Sequence, residues 1–587
     1  MTALLAISAV TVGTLGLGAW GVRFVRTTSD LLVASRTVTA WWNAAAISGE
    51  YLSAASFLGI AGLEMKVGAS ALWQSLGFTA GYLALLLFVA APLRRFGSYT
   101  IPDFVEARLR SPRVRPLASA IVLLIGGFYL LPQLKGAGLA LEVVTGAPYW
   151  VGVVLVAGIV AVNVAIGGMR GITYVQAFQF WVKVFAISVP ACLLIIHFGG
   201  LPGRAALFGD ELPRAPHALI VTLPGPQPVQ FPAAARITIG GRPVRVAAGA
   251  HRTLPGGVRI GLPAGTVVPV AEGTVPQTGA QWSRPVGGTD QSSPLLVYSL
   301  LVATFLGTMG LPHILVRFYT NPDGHAARHT TVRVLSLLGL FYAFPAVYGA
   351  LGRVLTPQLY MSGQTDSVVL TLPRAAWPGT VGTLLGALTA AGAFAAFLST
   401  SSGLLVSLAG TISHDVWPRL RRETAGGVSM RRIRFRVAAL GAMVVPALLA
   451  LLARSVDISI LVGWAFAIAA STFCPMFLLG VWWTRLSARG AAVGMLAGAV
   501  LATAAIFTGL ARGDDSTSVV GALFAQPAIV TVPVAFLVMI VVSLRAPAAA
   551  PASAEMLALH APEGLGLRLA EEDLDAPVAP ASVMIER

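Results

Sequence analysis

Cysteine is nearly absent from this 587-residue chain, which has only Cys192 and Cys474. Neither stands in a CxxC or Cys/His spacing, so nothing points to a disulfide framework or a zinc site. Both lie in apolar spans, where they read as small buried residues. Charge is scarce too: Asp, Glu, Lys and Arg make up 11% of the chain, against about 25% in soluble domains. With 56% hydrophobic residues and a mean hydropathy of +0.78, this is a polytopic membrane protein. No nucleophile elbow, Walker motif or zinc signature occurs, and no paired catalytic residues converge at one depth, so the chain does not read as an enzyme. The net charge of +16 comes from arginines in short loops. No basic face with interleaved aromatics accompanies them, which argues against a nucleic-acid partner and for the lipid bilayer.

Windows of about nineteen residues place roughly thirteen membrane helices. They fall at residues 4–22, 39–63, 69–91, 117–144, 149–167, 175–197, 294–315, 332–355, 381–412, 437–453, 458–482, 491–510 and 527–544. The first lacks a positive n-region and reads as a membrane helix, not a cleaved signal. Arginines crowd alternate loops, with Arg23, Arg26 and Arg36 in the first and Arg419, Arg421 and Arg422 in a later one. Those loops are expected on the cytoplasmic side, which puts the N-terminus outside and the C-terminus inside a plasma membrane. The loop at 199–292 is long and rich in Pro and Gly; Arg236 to Val246 resembles a hairpin around Gly240 and Gly241. It is expected to be a small extracytoplasmic β-rich insertion. The tail at 546–587 turns acidic at Glu571, Glu572, Asp573 and Asp575 and reads as largely disordered cytoplasmic chain.

Two spans carry breaks. In the second, Ser48, Gly49, Glu50, Ser53 and Ser56 interrupt an apolar run at mid-depth. Polar groups there are costly and usually functional, and a freed carbonyl is a cation ligand. In the seventh, Gly307 to Gly310 is followed by Leu311-Pro312-His313. Paired interrupted spans in corresponding positions point to an inverted-repeat transporter with its site near the midplane. The repeats would be helices two to six (39–198) and seven to eleven (293–482). Segment 1–38 precedes them, the 199–292 insertion separates them, and helices twelve and thirteen (483–545) follow. In the ninth helix the run Ser399, Thr400, Ser401 and Ser402 fits either helix–helix glue or an all-oxygen site for a hard cation.

Leu311-Pro-His-Ile314 with Arg317, and Ala396-Phe-Leu-Ser-Thr400, resemble the diagnostic motifs of the sodium/solute symporter family. Tyr51 to Gly59, Phe96 to Phe104 and Ser413-His-Asp415 are similar to its cation/acetate and monocarboxylate branch. The resemblance runs from about residue 40 to 482, without the long loop. It implies an all-α membrane fold with a five-plus-five inverted repeat of the leucine-transporter kind. It also implies a sodium site from Gly49, Leu52, Ser53, Ala396, Ser399 and Thr400, with sodium as the coupling ion and no other cofactor. A small monocarboxylate such as acetate, propionate or pyruvate would lie near Thr308 and Gly310, held in part by half-helix N-termini. Sodium or protons would drive its uptake. Another solute, such as an amino acid or vitamin, or a sensor on the same fold are the alternatives.

Six ionisable residues complete the candidates. Glu50 reads as a proton carrier, a second cation ligand, or a structural partner for a basic group. Lys135 departs from the branch; it could bind a substrate carboxylate, pair with Glu50, or snorkel to an interface. Lys183 is expected to snorkel near a cytoplasmic helix end. His313 is read as a structural hydrogen-bonding residue, and His414-Asp415 as a cap.

Overall fold

A computed structural model of the chain describes residues 1–21, 38–96, 98, 100–199, 204–286, 293–321, 323–421, 428–512, 518–546 and 553–560. Arg23, Arg26, Arg36, Arg422 and the acidic run at 571–575 lie outside the described residues.

Twelve helical segments among the described residues are long and apolar enough to cross a membrane. The expected second helix is not one of them by itself, because it is broken. It runs as Ala40–Tyr51, loses regularity at Leu52, and resumes through a π-turn at Ala55–Gly59 into Ile60–Val67. A 3-10 turn at Gly68, held at φ 77° against the Trp282 carbonyl, leads into the third helix, Leu72–Phe88. The fourth is Arg115–Thr145, and the fifth and sixth spans, Tyr149–Gly167 and Gly171–Phe198, lie within one helical stretch. The seventh breaks where expected, into Ser293–Thr308 and Pro312–Phe318. The ninth is Thr380–Gly410, continued by a π-turn at Thr411–Val416, and the eleventh bends at Thr472 between Ile458–Ser471 and Phe473–Trp482.

Burial sorts these spans into centre and rim. In the eleventh, 94% of the apolar window is buried and in the ninth 78%, against 28% in the first and 33% in the last. The rim helices turn Leu5, Val12, Leu448, Leu452 and Leu537 outward, the face a bilayer would cover. Trp20, Trp41, Trp150 and Trp482 lie exposed near helix ends, the level of an interfacial aromatic belt. Cys192 follows this logic and corrects its expectation: it is exposed, and only Cys474 is buried. An apolar span facing lipid puts its residues outside, so hydropathy does not report the interior.

The insertion forms two small antiparallel sheets. One holds Leu219–Thr222 (β1), Ala235–Ile239 (β3), Arg242–Val246 (β4) and Arg259–Leu262 (β6) in the order β1-β6-β3-β4. Gln227–Gln230 (β2), His251–Leu254 (β5) and Val270–Ala271 (β7) make the other, in the order β5-β2-β7. The β3–β4 hairpin turns at Gly240 and Gly241, whose φ values of 58° and 82° favour glycine. Along β3, Ala235 and Ile237 point in while Arg236 and Thr238 point out. The insertion has its own core of Phe231, Ile237, Leu254 and Ile260, joined by Met361 from the short helix Gln358–Ser362. Part of the tail is also ordered. Ser553–His560 is helical, with Leu559 buried and the His560 Nε2 atom 2.8 Å from the Val481 carbonyl.

Candidate functional site: a lysine at the break in the second helix

The break frees backbone groups that must find partners at depth. The Ala54 N–H donates to the Gln133 Oε1 atom of the fourth helix at 2.8 Å. The Glu50 carbonyl accepts from the Thr400 Oγ1 hydroxyl at 2.6 Å. The Gly49 carbonyl accepts from the Ser399 hydroxyl and from the ammonium of Lys183, and the Leu52 carbonyl accepts from the same ammonium at 2.9 Å. The Ser399 Oγ atom accepts a third Lys183 bond at 3.0 Å. Second, sixth and ninth helices therefore meet at one buried lysine. Gly49 makes the approach possible, since a Cβ there would strike the Gln176 carbonyl and crowd Phe180.

Of the six residues expected to hold a cation, Gly49, Leu52 and Ser399 converge on one point, and Thr400 bonds the next carbonyl along. Ser53 turns instead to the Tyr129 hydroxyl, and Ala396 lies buried one helical turn before Thr400. Lys183 is fully buried, which corrects the expectation that it snorkels. The signal was legible, since Lys183 lies at the middle of the Gly171–Phe198 span and not at its end.

Glu50 does not pair with Lys135. Its Oε2 atom accepts from the Arg317 Nε at 2.6 Å, with both side chains fully buried. Arg317 also donates to the Thr173 hydroxyl at 2.9 Å and to the Gln176 Oε1 atom, and Gln176 Nε2 donates to the Ser399 carbonyl at 2.8 Å. At Gly403 the ninth helix presents no side chain, which leaves room for the Glu50 carboxylate. Arg317 entered the sequence reading only as a motif residue and Gln176 not at all.

Lys135 lies in a different cluster from Glu50. It donates to the Asp366 Oδ2 atom at 3.4 Å and to the Val456 carbonyl. The same Asp366 oxygen accepts from the Ile458 N–H at 3.0 Å, and Lys66 pairs with Asp457 at 2.8 Å. Burial, with Asp457 nearby, pushes the Asp366 carboxyl up against the pull of Lys135. Burial also acts on Asp457, but Lys66 and Lys135 hold it below the usual carboxylate range. This cluster adjoins the insertion, since Trp282 donates to the Met65 carbonyl beside Lys66.

A second ionic cluster joins Ile101–Leu109 to the start of the fourth helix and the end of the ninth. Arg115 contacts Asp103, Glu106 at 3.0 Å and Asp415, and His414 stands 3.3 Å from Asp103. His414 and Asp415 are thus parts of an ion network and not a simple cap. Asp103, His414 and Asp415 lie close enough to hold a metal, but the Arg115 guanidinium already bonds both carboxylates. Burial pushes the Asp103 carboxyl up, yet His414 and Arg115 hold it well below the usual range.

Thr308 and Gly310 border the break in the seventh helix. The Thr308 hydroxyl is 2.8 Å from that of Tyr51, which packs edge-on to Phe78, Tyr82 and Phe466. Gly310 presses against the Ala469 carbonyl of the eleventh helix. Pro312–Phe318, seven residues long, is too short to bring much of a helix dipole. His313 corrects its expectation as well: both ring nitrogens lack a hydrogen-bond partner among the described residues, and the ring packs against Tyr129.

Comparison with known proteins agrees with this architecture. The sodium:solute symporter family profile matches residues 31–211 and 266–498, and the gap falls within the β insertion. An uncharacterized symporter of Bacillus subtilis, YwcA, is 29% identical over 547 residues, covering 92% of this chain and 93% of that one. Among solved structures, a Na+-coupled sialic acid symporter in its substrate-bound outward-open state aligns over 94% of this chain and 98% of its own, at 14% identity and a TM-score of 0.64. Mhp1, a nucleobase-cation-symport-1 family transporter, aligns over 91% and 99% at 13% identity and a TM-score of 0.49. With its two broken helices, inverted-repeat fold and profile match over most of its length, the chain belongs to the sodium:solute symporter family.

Proposed function

We propose that the chain is a secondary active symporter that couples cation entry to uptake of a small monocarboxylate such as acetate, propionate or pyruvate. The observation that supports this substrate class is the group of hydroxyls and rings beside the two helix breaks. Thr308 and Tyr51 share a hydrogen bond there, the Tyr82 hydroxyl has no partner among the described residues, and Tyr342 bonds Ser56 at 3.0 Å. Hydroxyls can donate to a carboxylate, while the faces of Phe78 and Phe466 suit a short apolar tail. Arg317 is already committed to Glu50, so these hydroxyls carry the recognition.

The family implies sodium as the coupling ion; the ammonium of Lys183 among the expected ligands favours protons. The arginine-rich loops favour a plasma-membrane orientation with the N-terminus and the insertion outside and the C-terminus inside.

Counterflow of labelled acetate, propionate and pyruvate into proteoliposomes tests the substrate without any ion gradient. One of the three is expected to exchange and the others to compete. Thr400→Ala, which removes the bond to the Glu50 carbonyl, is expected to slow exchange by about tenfold, near the worth of one buried hydrogen bond. Exchange of none of the three would overturn the monocarboxylate reading.

A further inference from the structure

We propose that Lys183 is a tethered substitute for the coupling sodium ion, and that the proton it carries is the ion this chain co-transports. The inference rests on the reading of the chain as a cation-coupled symporter and specifies the ion.

The oxygens decide what the site accepts. The Gly49 and Leu52 carbonyls and the Ser399 hydroxyl are neutral, suited to a single positive charge without a fixed carboxylate. An ammonium meets that demand with three donors directed at three acceptors. A sodium ion placed among the same atoms would lie within a bond length or two of a like charge. In a buried setting that repulsion is scarcely screened. The two cations therefore exclude one another.

The charged surroundings of Lys183 are few. From the second helix Glu50 faces it, already paired with Arg317 of the seventh, and Tyr51 turns its hydroxyl to Thr308. The first and ninth helices, Thr2–Gly21 and Thr380–Gly410, bring no titratable side chain. On the fourth, Tyr129 meets Ser53 and Lys135 is held by Asp366; on the eighth, Tyr348 donates to the Ile187 carbonyl and Arg353 to the Ala206 and Gln277 carbonyls. Arg333 stands over Trp41, Arg374 beside Gly386, and Arg436 on the Ala165 carbonyl, with Arg431, Arg432 and Arg434 on the same helix as Arg436. Tyr174, Cys192 and His197 belong to the sixth helix itself, Tyr174 between Trp20 and Trp42 and His197 against Trp377. The Glu50–Arg317 pair is neutral as a unit, so among the described residues no free carboxylate fixes the Lys183 charge.

The step balances simply. Lys183-NH3+ gives its proton to water on the inner side and becomes Lys183-NH2, and a proton from the outer side restores it. One proton entering with one monocarboxylate anion moves no net charge. Protonated, Lys183 ties the sixth helix to the second and ninth; neutral, it loosens that tie as a departing sodium ion would.

Binding of 22Na+ to the purified full-length protein tests this without any substrate. The wild type is expected to show no saturable sodium binding, and Lys183→Ala to gain it. In proteoliposomes with choline replacing sodium, one pH unit is expected to sustain about a tenfold accumulation, and Lys183→Ala to abolish it. Saturable sodium binding by the wild type, or accumulation that requires sodium, would overturn the proposal even if the variant fails to fold. Failure of counterflow for every monocarboxylate would instead strike the substrate reading and leave the sodium-binding result to stand on its own.

Discussion

The Glu50–Arg317 pair gives the sharpest test of what holds the broken helix. Both side chains are fully buried, and the guanidinium divides its bonds between one carboxylate and two neutral acceptors, Thr173 and Gln176. Glu50→Gln would leave a buried cation with neutral partners only, and Arg317→Met a buried carboxylate with only Gln176 at 3.4 Å. One-sided loss of a buried pair costs about 3–5 kcal/mol, whereas replacing both partners with uncharged side chains is often close to neutral. Each single variant should therefore raise the unfolded fraction by roughly two to four decades, and the double variant should regain at least half of that. Denaturant unfolding of the detergent-purified protein, followed by circular dichroism across the four proteins, measures the cycle. Two outcomes would refute the reasoning: single variants that unfold at the wild-type midpoint, or a double variant whose loss equals the sum of the singles.

Two further outcomes follow from other positions. Gly49→Ala would drive a methyl into the Gln176 carbonyl and part the second helix from the sixth; it is expected to abolish counterflow, while Gly127→Ala, with open space around its added carbon, leaves it unchanged. Asp103→Asn is expected to lower the thermal midpoint at pH 7. Because His414 and Arg115 hold the folded Asp103 well below the ordinary range, its contribution is fully present above the unfolded value of about 3.9 and lost as pH falls beneath it. The deficit of the variant should thus persist as pH falls from 7 to 5 and shrink below about pH 4; a deficit that fades between pH 7 and 5 would contradict the assignment.

The breaks in the second and seventh helices were legible because they write themselves locally, as serines, glycines and a proline inside apolar runs. The hairpin at Gly240 was legible for the same reason. What occupies the second break was not, because the atoms that receive Lys183 are backbone carbonyls 131 and 134 residues away and a hydroxyl 216 away. A carbonyl carries no residue identity, so no motif announces it. Arg317 finds Glu50 across 267 residues, which is why Lys135, much nearer in sequence, looked the more natural partner. The ordered stretch at Ser553–His560 escaped notice because its surroundings are compositionally plain and only its docking against Val481 and Arg95 singles it out.

The pairs Lys135–Asp366 and Lys66–Asp457 tie the fourth helix to the segment before the ninth, and the second helix to the start of the eleventh, beside the insertion. Two opposite charges 4 Å apart attract at about 4 kcal/mol where the effective dielectric is about 20, and at about 1 kcal/mol in bulk water. Opening therefore removes much of the force that resists it, and closing restores that force, so intermediate apertures are the least favoured. Dissolved salt screens the wetted pairs but hardly reaches the dry ones. If that face opens during transport, its opening is therefore expected to depend on salt.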